Sequence, residues 1–301
     1  MDDARDLYTL LPEVHRARDC RLYDRRGNRY LDLWRNGGRA LLGHRPDLVY
    51  KELKKVLQKG VVAEYPSRYT DRLKKALRGM IPGNWEIRLF ASWDRALAAS
   101  RELLHRRKGE GRWQEENTSQ GEARFPPLAV VEPFRCTDPE LTTRELNGGV
   151  FYRPFFPFPY HKFPLVVPLL PFPGAFAPQP LLIGEAFEKE ELPPDDPISP
   201  VLAATLTRTV FYLMRLSKAA PPRWEEWELP GWSRISCYLI PRFDLSQYRR
   251  IFVSFLERKI LIPPQPADPL LLPMEWSRGE KGLVESTARE LLGEGGKYEH
   301  G

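Results

Sequence analysis

Residues 21–45 read RLYDRRGNRYLDLWRNGGRALLGHR, the most sharply punctuated stretch of the chain. Strand-forming residues run into Asp24–Arg25–Arg26–Gly27–Asn28, a turn sequence, and leave it as RYLDLW. Two short alternating runs joined by such a turn predict a β-hairpin. Gly37, Gly38 and Gly43 mark a flexible return. A helix is expected from Arg45–Pro46–Asp47, with Asp47 suited to its first turn.

Outward from this hairpin, PSRYTDRLKKALRGMIP predicts a second helix, capped by Ser67 or Thr70. EIRLFAS (86–92) reads as a short apolar strand, and DRALAASRELLHRRKG as an amphipathic helix that stops at Gly109. After a polar, Gly-rich stretch (109–125), PLAVVEPF (127–134) reads as a buried strand. This β–α–β order suggests a doubly wound sheet. Residues 151–200 hold thirteen of the chain's 30 prolines, together with the aromatic run FYRPFFPFPYHKF. Such proline density argues against ordinary central strands and long helices. An irregular segment packing its rings on the core is preferred to a polyproline ligand, because the run is too apolar to stay solvated. Residues 198–219 predict a strong helix; after a Trp-rich linker, ISCYLIP reads as a strand and LSQYRRIFVSFLERKI as a helix. ILIPP and PLLLPMEW are short strands before a closing helix in GEKGLVESTARELLGEG, completing a small α/β domain.

The 301 residues suffice for one large or two modest domains. The net charge is +6, with acids interspersed among the Lys and Arg. YKELKKVLQKG reads as a solvated helix face with Leu53, Val56 and Leu57 on its apolar side, so neither nucleic acid nor a membrane is expected as a partner. No run approaches a bilayer span, and the opening MDDARDLYTLLPEVHR lacks the apolar core of a signal peptide. Cys20, Cys136 and Cys237 are odd in number and form no CxxC pair, which suggests thiols in a reducing, cytoplasmic compartment and no metal site. His44, His105 and His161 are too dispersed to argue a catalytic cluster, and Walker, Rossmann and zinc signatures are absent.

Six ordered segments resemble class III aminotransferases, the pyridoxal-phosphate (PLP) enzymes of fold type I. The first supplies Asp24, Gly27, Tyr30, Leu31, Asp32, Gly37, Leu42, Gly43 and His44, with Arg45–Pro46 where that family usually has His-Pro. IRLFASWDRALAASR is similar to the family's strand, phosphate turn and helix, and LAVVEPF to its strand ending in Glu-Pro. PLVVPLLPFPGAFAPQPLLIG resembles the strand that carries the cofactor lysine, and ISPVLAATLTRTVFYL the helix that follows. FLERKILIPP…LLLP…GLVESTARELL is like the C-terminal small domain. The glutamate-semialdehyde aminomutase branch shares an opening like Arg16–Asp24, which does not assign a subfamily.

The resemblance implies a chemistry that can be checked residue by residue. PLP is the electron sink, and the protein must hold its phosphate, face its ring nitrogen with an acid and supply a Schiff-base lysine. The lysine position is Pro171. Lys162 is the sole lysine between Lys108 and Lys189, and an altered register could recruit it. The phosphate turn, which needs glycine for close backbone approach, reads Ser92–Trp93–Asp94. Asp195 falls near the position of a phosphate-binding threonine, no Asp lies between Pro139 and Gly184 to face the ring, and Leu270 stands at the expected substrate-carboxylate arginine.

The expected fold class is therefore α/β: a truncated PLP-transferase fold type I, with a reduced large domain on a mixed or parallel sheet and a small α/β domain built from both chain ends. The expected division is 1–75 (small-domain segment and linking helix), 76–200 (reduced large domain, with the Pro/aromatic segment 151–200) and 201–301 (C-terminal small domain). The expected function is that of a pseudoenzyme without catalytic residues or PLP, acting as a homodimer or as a hetero-dimer with an active aminotransferase-like paralogue. One alternative is an active PLP-dependent aminotransferase or aminomutase using Lys162. Another is a small-ligand binder using Trp93 and the aromatics of 151–163.

Overall fold

The computed structural model describes residues 7–109, 130–135, 148–172, 176–218, 227–266 and 268–293. The first strands are β1 (Val14–Arg18), β2 (Arg21–Asp24), β3 (Arg29–Asp32) and β4 (Glu86–Phe90). The middle strands are β5 (Val130–Val131), β6 (Gly149–Tyr152), β7 (Leu165–Pro168) and β8 (Gln179–Ile183). The last are β9 (Trp232–Ile235), β10 (Tyr238–Pro241), β11 (Ile260–Leu261) and β12 (Leu270–Leu271). The helices are α1 (Asp47–Leu57), α2 (Arg68–Met80), α3 (Trp93–Gly109), α4 (Pro200–Lys218), α5 (Tyr248–Glu257) and α6 (Arg278–Leu292). No described helix is long and apolar enough to cross a membrane. The chain divides into two compact units: 1–47 with 155–157 and 216–301, and 48–154 with 158–215.

The first unit draws on both chain ends. β2 and β3 form the expected hairpin, β1 extends it antiparallel, and β11 adds in parallel through Ile260↔Leu31 and Leu261↔Asp32. The hairpin turn closes on Asp24, whose carboxylate accepts from the Arg26 and Asn28 amides and from Asn28 Nδ2. Gly27, at φ +82°, supplies the left-handed backbone that this turn requires. β9, β10 and β12 form a second, antiparallel sheet. The Trp-rich stretch read as a linker thus contributes a strand, because Trp232 is buried against Phe243 and Phe255. The closing helix α6 starts on a capping box: Ser277 Oγ accepts from Glu280 N, and Glu280 Oε2 accepts from Ser277 N.

The second unit holds a mixed sheet in the order β4-β8-β7-β6-β5. β5, β6 and β7 pair in parallel and β8 runs antiparallel to both β7 and β4, so β4 points the same way as β5–β7. Leu165, Val167, Leu181 and Ile183 face α3, packing with Ala96, Ala99, Leu103 and Leu104. Val166 and Leu182 are buried as well, which explains why these strands read as continuous apolar runs.

Here the structure corrects the proline argument, because β7 and β8 lie inside the sheet despite Pro168 and Pro180. Leu89 sends its carbonyl to Asp196 N and its amide to Asp195, away from its register partner Pro180. Pro180 therefore needs no amide proton on the β4 side. On the β7 side the ladder ends at Val166↔Leu182, short of Pro180. Gln179 Nε2 then donates to the Pro168 and Pro180 carbonyls at 2.8 and 3.1 Å. One buried amide does the work of two absent backbone donors.

Candidate functional site

In an α/β sheet, ligands bind beyond the carboxyl ends of the parallel strands. In the second unit that edge collects Ser92 and Trp93 after β4, Glu132 after β5, Arg153 after β6, Pro168–Pro171 after β7, and Gln179 at the start of β8.

The turn after β4 is an ordinary helix start. Ser92 Oγ accepts from Arg95 N at 3.3 Å, and the Ser92 carbonyl accepts from Ala96 N. Trp93 is half-buried and stacks on Phe151, with ring centroids 5.1 Å apart and planes 20° apart. Asp94 is exposed on the first turn, where a carboxylate complements the helix dipole.

A second carboxylate reaches the same turn. Asp196 Oδ2 accepts from Ala91 N at 2.9 Å and Oδ1 from Arg95 Nη2 at 2.7 Å. The Arg95 guanidinium holds the Asp196 carboxyl below the usual range. Asp195 Oδ1 accepts from Leu89 N at 2.8 Å, and its Oδ2 pairs with Lys74 at 2.5 Å. Together the two aspartates take the amides of Leu89 in β4 and of Ala91 just beyond it, on the edge away from β8. The sequence reading set Asp195 against a phosphate but did not find this clasp.

Glu132 and Arg153, at the ends of the adjacent parallel strands β5 and β6, form a bidentate pair. Arg153 Nε lies 2.9 Å from Oε2 and Nη2 2.6 Å from Oε1, with the guanidinium 5% and the carboxylate 18% exposed. Tyr160 locks the arginine's backbone, accepting from Arg153 N and donating to its carbonyl. Burial pushes the Tyr160 hydroxyl well above its ordinary pKa and that of Tyr152 to about 12, so both stay protonated donors. The sequence offered no signal for this pairing, since 21 residues separate partners that a parallel register brings together.

Pro171 lies buried in a bend three residues beyond β7, among Leu169, Leu170 and Phe172. Lys162 is exposed and lies three residues before β7, at the opposite end of the strand. It lines an open recess of about 370 Å³ with His161, Trp85, Asn84, Gly184 and Glu185. The sheet itself therefore separates Lys162 from Ser92, Trp93 and Asp94.

The motif residues of the first unit hold a loop. Asp32 Oδ1 accepts from the Trp34 and Arg35 amides, and Oδ2 lies 2.7 Å from His44 Nε2. Arg35 is buried, donates to the Leu41 carbonyl at 3.0 Å, and has its pKa lowered by that burial. His44 N bonds the Asp19 carbonyl, against which Gly43 packs at φ +89°. Leu270 is fully buried, paired with Leu239. Among the described residues no cluster of His, Cys, Asp and Glu could hold a metal ion.

No family model matches the chain. An uncharacterised protein of Borreliella burgdorferi is 24% identical over 272 residues, covering 90% of this chain and 87% of that protein. Among solved structures, Plasmodium falciparum ornithine delta-aminotransferase superposes with a TM-score of 0.65 at 11% identity, covering 93% of this chain and 94% of the other. N-acetylornithine aminotransferase from Stenotrophomonas maltophilia gives 0.67 at 15% identity, covering 95% and 97%. The chain thus has the mixed α/β fold of class III aminotransferases, a likeness of fold alone.

Proposed function

We propose that this protein is a reduced, non-catalytic member of the aminotransferase fold, working without PLP and through association with a second copy or an active aminotransferase-like partner. The observation that carries the proposal is the position of Pro171: the end of β7, where the resemblance calls for a Schiff-base lysine, is an apolar bend packed in the core. Lys162 is no substitute, because it stands at the other end of the strand.

The remaining requirements of the cofactor fit this edge no better. A phosphate dianion at the start of α3 would meet Asp94 and Asp196, both acidic, and Trp93 in place of a glycine. A pyridine nitrogen kept protonated needs a facing carboxylate. The carboxylate at the ends of β5 and β6 is Glu132, already committed to Arg153 through two bonds. These residues support no PLP-dependent step.

The test is a titration of the purified protein with PLP, followed by visible absorbance, borohydride reduction and peptide mass spectrometry. The expected result is no saturable visible band and no pyridoxyl-modified lysine. A saturable band with a single modified lysine overturns the proposal and returns the reading to an active aminotransferase or aminomutase.

A further inference from the structure

The chain's charge is not spread evenly. Residues 47–80 contain nine Lys and Arg against four Asp and Glu, a net +5 out of the +6 of the entire chain. Everything outside this segment therefore sums to only +1. The segment consists of α1, α2 and the connection between them.

Both helices turn their apolar sides to the start of α4, where Leu53, Val56 and Tyr69 pack with Val201 and Ala204. Their other sides face solvent. On α1, Leu57, Tyr50, Lys54, Lys51 and Lys55 fall within an arc of about 160° at 3.6 residues per turn. On α2, Arg68, Arg72 and Lys75 share one exposed face with Asp71. Among the described residues Lys51, Lys54, Lys55, Arg68, Arg72 and Lys75 have no hydrogen-bond or ion-pair partner, whereas Lys74 and Arg78 do. The connection adds apolar side chains that the fold leaves uncovered: Val62 is 54% and Tyr65 67% exposed, next to the acid Glu64. Tyr50, Leu57, Val62 and Tyr65 are thus four exposed apolar side chains within the basic segment.

We propose that this face docks peripherally on an anionic lipid surface, with the lysines and arginines above the headgroups and Val62, Tyr65, Leu57 and Tyr50 entering the interface. Unpaired basic residues beside exposed aliphatic and tyrosine side chains are what an interfacial, surface-lying element needs. A nucleic acid would satisfy the charges but leaves Leu57 and Val62 without an apolar partner. A stable protein interface is depleted in lysine at its centre, the reverse of this face. The proposal departs from the expectation of no membrane partner, which read Lys51–Lys59 as a solvated helix face without the exposed Val62 and Tyr65 beyond it. It is independent of whether the protein binds PLP.

The experiment is co-sedimentation of the full chain with vesicles of phosphatidylcholine alone and of phosphatidylcholine with phosphatidylglycerol in equal parts, at low and high salt. Binding is expected with the anionic vesicles only, weakening as salt rises. Each basic side chain at the surface is worth about five-fold in affinity, so K54Q/K55Q is expected to lose about twenty-five-fold. V62S/Y65S, which removes no charge, is expected to lose the binding that persists at high salt. All four side chains are exposed, and an unchanged melting temperature certifies the variants. The proposal is overturned by no retention on anionic vesicles, by equal retention on neutral ones, or by variants that bind like the parent. It is also overturned if a labelled DNA duplex binds more tightly than the vesicles and loses its binding in K54Q/K55Q.

Discussion

Replacing Glu280 by glutamine tests the join between the two chain ends. Glu280 on α6 receives Arg21 of β2 through two bonds of 2.7 Å, Nε to Oε1 and Nη2 to Oε2, across 259 residues of sequence. Its Oε2 also accepts from Ser277 N. The side chains are 8% and 23% exposed. Burial pushes the Glu280 carboxyl upward, but Arg21 and Ser277 outweigh it and take the pKa from 4.5 down to about 2. A shift of that size corresponds to about 3 kcal/mol at most, and solvent access to Arg21 reduces it to about 2 kcal/mol. Because the folded pKa is the lower one, this stability is fully present above the unfolded value near 4.5 and is lost as pH falls through about 2. Urea unfolding followed by tryptophan fluorescence is therefore expected to show E280Q about 2 kcal/mol less stable at neutral pH, with the gap roughly halved by about pH 3. A variant as stable as the parent at neutral pH refutes the reasoning, as does a gap that persists undiminished in acid.

Three further outcomes are expected. The double variant D195A/D196A uncovers the outer edge of β4, so amide exchange at Leu89 and Ala91 accelerates and stability falls by about 2 kcal/mol; unchanged exchange at those two amides removes the clasp from the account. Gly43→Ala meets both a left-handed backbone and Asp19 Cα at 3.3 Å, whereas Gly27→Ala meets only the left-handed backbone. Gly27→Ala is expected to cost about 1 kcal/mol and Gly43→Ala about 1 kcal/mol more, as measured by thermal melts. Pro171→Lys, with Pro171→Ala as a folding control, is expected to remain unable to bind PLP in the same absorbance titration; a saturable band would reduce the functional loss to that one residue.

Sequence periodicity revealed the elements whose stabilisation is local. The β2–β3 hairpin was legible because Asp24, Gly27 and Asn28 build its turn within five residues. α6 was legible from its own pattern, and its capping box lies within Ser277–Glu280. The resemblance pointed to a strand at β7, but proline density argued against both β7 and β8, because the rule against central prolines assumes that the missing donor must be made good by backbone. Here the compensation comes from the Gln179 side chain and from a register that turns Pro180 away from the β4 ladder. β9 was missed because two of its four residues are polar and its burial comes from aromatic contacts made around Trp232. At the candidate site, Pro171, Trp93 and Asp94 were visible as departures from a pattern. The Glu132–Arg153 pair and the Asp196–Arg95 pair were not, since partners 21 and 101 residues apart meet through sheet register and chain return.

Those invisible pairs bear most on the proposed function. On the proposed reading, a site that had lost only its lysine would keep polar groups at this edge free to meet a ligand. Instead, groups at this edge pair with one another. Asp196 binds Ala91 N and Arg95, Glu132 binds Arg153, Trp93 stacks on Phe151, and the Pro168 carbonyl is taken by Gln179. Removing Glu132 strands the buried Arg153 side chain, and removing Gln179 strands the buried Pro168 carbonyl, at a cost of about 1–3 kcal/mol each. On the proposed reading, selection on this edge has favoured rigidity of the sheet over an open cleft, which is the physical requirement for a surface that docks and not for one that turns over substrate.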